Sequence, residues 1–283
     1  MPALDPTTRQ ALAARLRFYR DLGFTDFYRR PVDLTSIEEV GAPGLPLSET
    51  GDIATPSSVA SLPPSHLVQQ ESPIAPRKPI LAPPAIAAAV PAADRLAALR
   101  VIQQEIGDCT RCALHKGRNK IVFADGSPNA RLLFVGEGPG ADEDAQGLPF
   151  VGKAGQLLNN MITAMGLERE EVYIANIVKC RPPGNRTPEP EEANTCAPFL
   201  FQQIDVVRPE VIVALGATAS TYLLGQRQPL AGLRGRIHNF RGAKLIVTYH
   251  PAFLLRDPRQ KKEAWADLQI AMRELGLQVA PRS

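Results

Sequence analysis

The sequence predicts an α/β fold: a three-layer α/β/α sandwich with a four-stranded parallel sheet, preceded by a short N-terminal helix and a disordered proline-rich linker. Three observations carry that expectation. From Asp94 onward, short runs rich in Val, Ile and Leu alternate with stretches of helical periodicity. The runs are continuously apolar, as suits strands covered on both faces. Before Asp94 the composition shifts: of 27 prolines in the chain, twelve fall between Pro31 and Pro91.

The elements follow in order. Residues 7–30 open with a helix start at Thr7 or Thr8, and Leu12, Leu16, Tyr19 and Leu22 recur at helical spacing. Gly23 ends that helix, with Phe24, Phe27 and Tyr28 clustered beyond it. An amphipathic segment on a long tether reads as a peptide for a protein partner, or as a helix docked on the main domain. Residues 31–93 are dominated by Ala, Ser and Pro and offer too little apolar surface to offset their ordering entropy. They read as a linker, leaving 94–283 as the globular domain. Asp94–Ile106 is an amphipathic helix. The strand candidates are Arg131–Gly136, Val172–Val178, Val211–Leu215 and Leu245–Tyr249. Between and after them lie helix candidates Ala154–Met165, Glu189–Val207, Ala217–Leu224 and Arg259–Leu275. In such sheets ligands bind at the carboxyl ends of the strands.

Composition narrows the function classes. No stretch approaches the roughly eighteen apolar residues of a membrane span. MPALDPTTRQ lacks the basic and apolar regions of a signal peptide, so a cytoplasmic, nucleoid-associated protein without a membrane partner is expected. The formal charge is +3, but residues 1–93 carry 8 basic and 9 acidic groups and residues 94–283 carry 24 and 20. The basic residues cluster, as at Lys116-Arg118-Lys120, Lys179-Arg181-Arg186, Arg234-Arg236-Arg241-Lys244 and Arg256-Arg259-Lys261-Lys262. Loops of that kind on one face suit a phosphate backbone; scattered, they are an ordinary solvated surface.

The four cysteines fall in two pairs, Cys109 and Cys112 as C-x2-C, Cys180 and Cys196 as C-x15-C. Four thiolates from two distant segments complete one closed metal centre, a zinc site or an iron–sulfur cluster. Spacing does not separate those two metals. Two disulfides are the competing arrangement, and nothing else in the chain points to an oxidising compartment.

Three loops carry further chemistry. Gly136-Glu137-Gly138-Pro139-Gly140 closes the first strand, where glycines let the backbone approach a ligand. It lacks the Lys-Ser/Thr of a phosphate loop and does not match G-x-G-x-x-G, which weakens ATPase and dinucleotide readings. Asn176 ends the second strand, and its amide offers one donor and one acceptor to a planar base edge. His250 stands where the fourth strand becomes a loop, followed by Phe253, Leu254, Leu255 and Arg256.

Together, GEGPGADED-x2-GLPFVGKAGQLL, YIANIVKCRPPGNR, TYHPAFLLR and the four cysteines resemble the family 4 uracil-DNA glycosylases. The resemblance covers about Leu96 to Leu277. It implies a [4Fe–4S] cluster on Cys109, Cys112, Cys180 and Cys196, largely structural, and uracil-containing DNA as the substrate. It implies that Phe150 stacks on uracil, Asn176 reads its edge and His250 donates to a uracil carbonyl oxygen. Gly136 and Gly138 flank Glu137, the acidic residue beside the sugar. Glu137 then either positions the attacking water or favours the cationic sugar. Leu254 is the expected DNA wedge, with Phe253 and Leu255 as the other choices.

Two rivals stand beside this reading. Some relatives trap uracil-DNA covalently through a histidine in an insertion after the third cysteine; here Pro182–Pro188 contains none. A zinc-stapled interaction module explains the cysteines but not the coincidence of Glu137, Phe150, Asn176 and His250.

Overall fold

The structure, a computed structural model, describes residues 79–278. The expected N-terminal helix and the linker up to residue 78 lie outside the described residues. The chain runs α1 (Arg95–Ile106), β1 (Asp125–Gly126), β2 (Leu132–Gly136), α2 (Ala141–Gln146), α3 (Lys153–Ala164) and β3 (Tyr173–Asn176). It continues with α4 (Pro190–Val207), β4 (Val211–Leu215), α5 (Gly216–Leu224), α6 (Leu230–Leu233), β5 (Ile237–Phe240), β6 (Ala243–Thr248), α7 (Pro251–Arg256) and α8 (Lys261–Glu274).

The sheet is six-stranded and mixed, in the order β1-β3-β2-β4-β6-β5. The four-stranded parallel sheet expected from the sequence is therefore corrected: β3, β2, β4 and β6 are parallel, but each outer one carries an antiparallel edge strand. The physical reason is exposure. β1 is two residues long, and β5 reads Ile-His-Asn-Phe with only Phe240 buried, so neither shows the apolar run of a strand covered on both faces.

The central strands alternate between two cores. Leu133, Val135, Ala175, Ile212, Ala214, Leu245 and Val247 face one side, where Leu99 and Ile102 of α1 and Leu200 and Ile204 of α4 close over them. Leu132, Phe134, Ile174, Val211, Val213 and Ile246 face the other, against Leu158 and Ile162 of α3 and Leu268 and Met272 of α8. The three layers follow from that division. Register aligns the strand ends, Gly136 opposite Asn176 and Leu215 opposite Thr248, so the loops that follow leave from one edge of the sheet.

Residues 79–91, within the stretch read from composition as linker, run without helix or strand against the domain. Asn194 of α4 donates to the Pro79 carbonyl and accepts from the Leu81 amide. Ala87 N–H donates to Asp205 (2.9 Å), while Arg241 donates to the carbonyls of Pro84 and Ala85. This strap covers an Arg241–Asp205 ion pair whose side chains are 4 % and 5 % exposed. A variant lacking residues 1–91 is expected to melt roughly 10 °C below one lacking residues 1–78, at about 1 kcal/mol for each bond lost. Equal melting temperatures by calorimetry would mean the strap adds nothing.

Candidate active site and cysteine centre

The loops that leave the sheet edge converge on a cavity of about 550 Å³. Glu137 and Gly138 enter from β2, Asn176 from β3, Gly216 and Ala217 from the start of α5, and His250 from the end of β6. Phe150 enters from the α2–α3 connection, and its ring centroid lies 5.6 Å from that of His250. Gly136 fills the gap behind: a Cβ there would stand 2.4 Å from Asn176 Oδ1 and 2.6 Å from Phe150 Cζ. Asn176 is 2 % exposed, and its Oδ1 has no hydrogen-bond partner. A buried acceptor left unpaired costs about 1–3 kcal/mol, which a donor on a bound ligand would recover.

His250 caps α7. The Ala252 N–H donates to its Nδ1 (3.1 Å), which places the ring proton of a neutral imidazole on Nε2. Burial, assisted by the charge of Arg256, brings its pKa down to about 4, so the ring is neutral at pH 7. The carboxyl of Glu137 moves the other way: burial pushes its pKa up, against a hydrogen bond donated by the Thr218 hydroxyl. Lys153, Arg186 and Arg256 line the cavity; Lys153 and Arg256 supply positive charge there, whereas Arg186 is paired through both guanidinium nitrogens with Glu192 (2.9 and 2.8 Å). Several other basic residues of the sequence clusters are used internally. Arg234 pairs with Asp267, Arg241 with Asp205, and Lys179 is 1 % exposed.

The four cysteines also meet. Cys109 and Cys112 follow α1, Cys180 follows β3 and Cys196 lies on α4, and all four line one cavity with Ile106, Ile121 and Phe199. None is in a disulfide. Arg111 donates to Cys109 Sγ (3.3 Å), Arg118 to Cys180 Sγ (3.6 Å) and the Lys179 amide to Cys196 Sγ (3.3 Å). Burial raises the pKa of Cys112 and Cys180 and pushes that of Cys196 up to about 12, so a bound metal would displace protons here. Among the described residues, no group of three or more His, Cys, Asp or Glu is arranged to hold a single metal ion.

With this geometry in place, comparison with known proteins is specific. A family model described as the uracil DNA glycosylase superfamily matches residues 123–269, 147 of the 283. The chain belongs to the uracil DNA glycosylase superfamily. It is 47% identical over 161 residues to a type-4 uracil-DNA glycosylase of Thermotoga maritima, covering 56% of this chain and 84% of that one. It is 43% identical over 180 residues to a type-4 uracil-DNA glycosylase of Pyrobaculum aerophilum (61% of this chain, 92% of the relative). A type-4 enzyme of Archaeoglobus fulgidus is 40% identical over 176 residues (59% and 88%).

The structure therefore gathers Glu137, Gly138, Phe150, Asn176 and His250 at one cavity and the four cysteines at a second. It does not make Leu254 available as a wedge. Leu254 is 1 % exposed and packs into the core beneath α7. Its neighbour Leu255 is 44 % exposed, because one helical step of about 100° separates the two side chains. Thr218 is a residue that sequence reasoning missed. Its only signal is its place in the first turn of the helix that follows β4.

Proposed function

We propose that this protein is a DNA-repair glycosylase that flips uracil into the 550 Å³ cavity and hydrolyses its N-glycosidic bond, releasing uracil and leaving an abasic site. The observation that carries this reading is the buried, unpartnered Oδ1 of Asn176 beside the Phe150 ring. Uracil offers an N3–H donor to that oxygen and an O4 acceptor to the amide nitrogen. Cytosine presents the reverse pattern and leaves the amide unpaired.

The chemistry assigned to the other residues follows from their charge states. As the bond between C1′ and N1 breaks, its electron pair goes to the uracil ring and positive charge develops on the sugar. Neutral His250 donates from Nε2 to the uracil carbonyl oxygen on which negative charge grows, and Ala252 N–H fixes that tautomer. Glu137, held by Thr218, stands on the sugar side as a carboxylate that orients the attacking water or favours the cation. Lys153 and Arg256 take the phosphates flanking the flipped nucleotide, and exposed Leu255 fills the emptied stack.

The cysteine centre fits a [4Fe–4S] cluster. Four sulfurs, apolar walls and three N–H groups aimed at sulfur are the donor set and outer shell of such a site. Bound there, the cluster would tie the segment after α1 to the end of β3 and to α4. Among the described residues no helix is long and apolar enough to cross a membrane; a DNA substrate would suit a nucleoid-associated protein.

Incubation with a uracil-containing oligonucleotide, followed by alkaline cleavage, tests the reading. Strand cleavage with released uracil is expected; a denaturation-resistant protein–DNA adduct without turnover would favour covalent trapping. The rate is expected to fall on acidification, with a midpoint above that of an ordinary glutamate, because burial raises the Glu137 pKa and protonation removes its ionised form. His250 stays neutral down to about pH 4. A Glu137→Gln variant whose residual rate keeps the same acid limb would exclude Glu137 as its source.

A further inference from the structure

Phe150 has φ +53°, in the left-handed region that a bulky side chain rarely adopts. Such a conformation costs about 1–3 kcal/mol and persists only where its surroundings impose it. Three contacts impose it here. The Glu143 carboxylate of α2 accepts from the amides of Val151 (2.9 Å) and Gly152 (3.0 Å) through one oxygen, and from Gly140 (3.0 Å) through the other. On the N-terminal flank, Arg169 donates to the carbonyls of Pro149 (2.7 Å) and Phe150 (3.3 Å). Below, Gly155 of α3 gives the Phe150 carbonyl room, since a Cβ there would stand 1.9 Å from that oxygen.

Arg169 is itself fixed. It donates to Asn159 Oδ1 of α3 (2.7 Å) and to Asp125 Oδ2 (2.8 Å), where Asp125 lies on the two-residue strand β1. That gives the short edge strand a purpose: it pairs with β3 beside the turn that carries Arg169 and presents the carboxylate that aims the guanidinium.

We infer that Arg169 and Glu143 are positioning residues that hold the backbone before and after Phe150, Arg169 through the Pro149 and Phe150 carbonyls and Glu143 through the Val151 and Gly152 amides, and so set the ring against which the flipped base stacks. The inference rests on the proposed stacking role of Phe150. Without either clamp, residues 149–152 relax towards ordinary φ and the ring leaves its place beside Asn176 and His250. Arg169 is not among the residues that line the cavity; Glu143 is, with its carboxylate committed to three backbone amides.

Stacking acts on the bound base before and during bond breaking, so loss of the clamp weakens binding more than turnover. In the full-length protein, Phe150→Ala, Arg169→Gln and Glu143→Gln are each expected to raise KM, and the inhibition constant of free uracil, by about tenfold, the size of one base–aromatic stack. The turnover rate per active molecule changes less. Arg169→Lys keeps the charge but not the planar fork, so it restores little of the affinity and serves where Arg169→Gln folds poorly. The double variant Phe150→Ala/Arg169→Gln is expected to bind uracil no worse than Phe150→Ala alone. If Phe150→Ala weakens uracil binding while the Arg169 and Glu143 variants do not, or if the double variant shows both losses in full, the clamp is overturned. If Phe150→Ala itself leaves uracil binding unchanged, the stacking reading falls, and the clamp with it.

Discussion

His250→Ala is expected to slow single-turnover uracil excision about 10²–10³-fold, the usual loss for one preorganised donor to a developing anion. The size of the effect comes from the state of the ring. With a pKa brought down to about 4 by burial, the His250 ring is neutral at physiological pH, as the proposed donor to the charge growing on the base must be. Its Nδ1 is occupied by the Ala252 amide, so the proton on Nε2 is committed to the cavity. Substrate affinity is expected to change much less than the rate, since the interaction strengthens mainly in the transition state. His250→Gln, which keeps a donor but loses the cap geometry, should recover part of the rate. Asn176→Asp tests the other edge of the base. A carboxylate presents acceptors only, so uracil loses the bond to O4 while cytosine gains a partner for its amino group. Unchanged excision in both His250→Ala and Asn176→Asp would place the pocket elsewhere.

Cys180→Ser is expected to abolish iron binding, and protein purified anaerobically without that substitution should be brown, absorb near 400 nm (roughly, as thiolate-bound iron clusters do) and hold iron. The structural consequence should be local. Helix α1 is anchored by buried Leu99, Ile102 and Ile106, so it stays on α4 when the cluster is lost. The segment between Gly107 and Lys120 has fewer anchors. Leu114 is its buried apolar residue, and Arg118 reaches Cys109 O and Cys180 Sγ. Trypsin should therefore cut at Arg111, Lys116 or Arg118 in the iron-free variant and spare them in the loaded protein. The active site would feel the loss through Lys179, whose amide bonds Cys196 Sγ and whose ammonium bonds the Asn176 carbonyl (3.0 Å). Stoichiometric zinc without iron in anaerobically purified protein would overturn the cluster assignment.

Much of this arrangement was legible in the residues. The four central strands and the expected helices of the described residues lie within two residues of their expected bounds, because a strand covered on both faces must be apolar throughout, whereas the short helices Ala141–Gln146, Leu230–Leu233 and Pro251–Arg256 were not expected. Asn176 and His250 were legible because each is a polar residue at the end of such a run, the place where a parallel sheet presents side chains to a ligand; Glu137 and Phe150 were legible only through the resemblance of their motif to a known family. The supporting residues gave no comparable signal. Arg169 stands in Glu-Arg-Glu-Glu, which reads as a solvated turn, yet it reaches two carbonyls and two side chains far from it in sequence. Asp205 and Arg241 look like surface charges and become a buried pair under a strap assigned from composition to the linker.

The sequence by itself determined the layer order of the domain and pointed to the loops that meet at one cavity and to the four cysteines as one set, since periodicity and residue type are local properties. Tertiary structure decided which of two adjacent leucines faces outward, why a phenylalanine holds a left-handed backbone, and which arginines meet solvent. Those outcomes depend on contacts between segments tens of residues apart, and a buried polar group takes its role from the partner that folding brings to it.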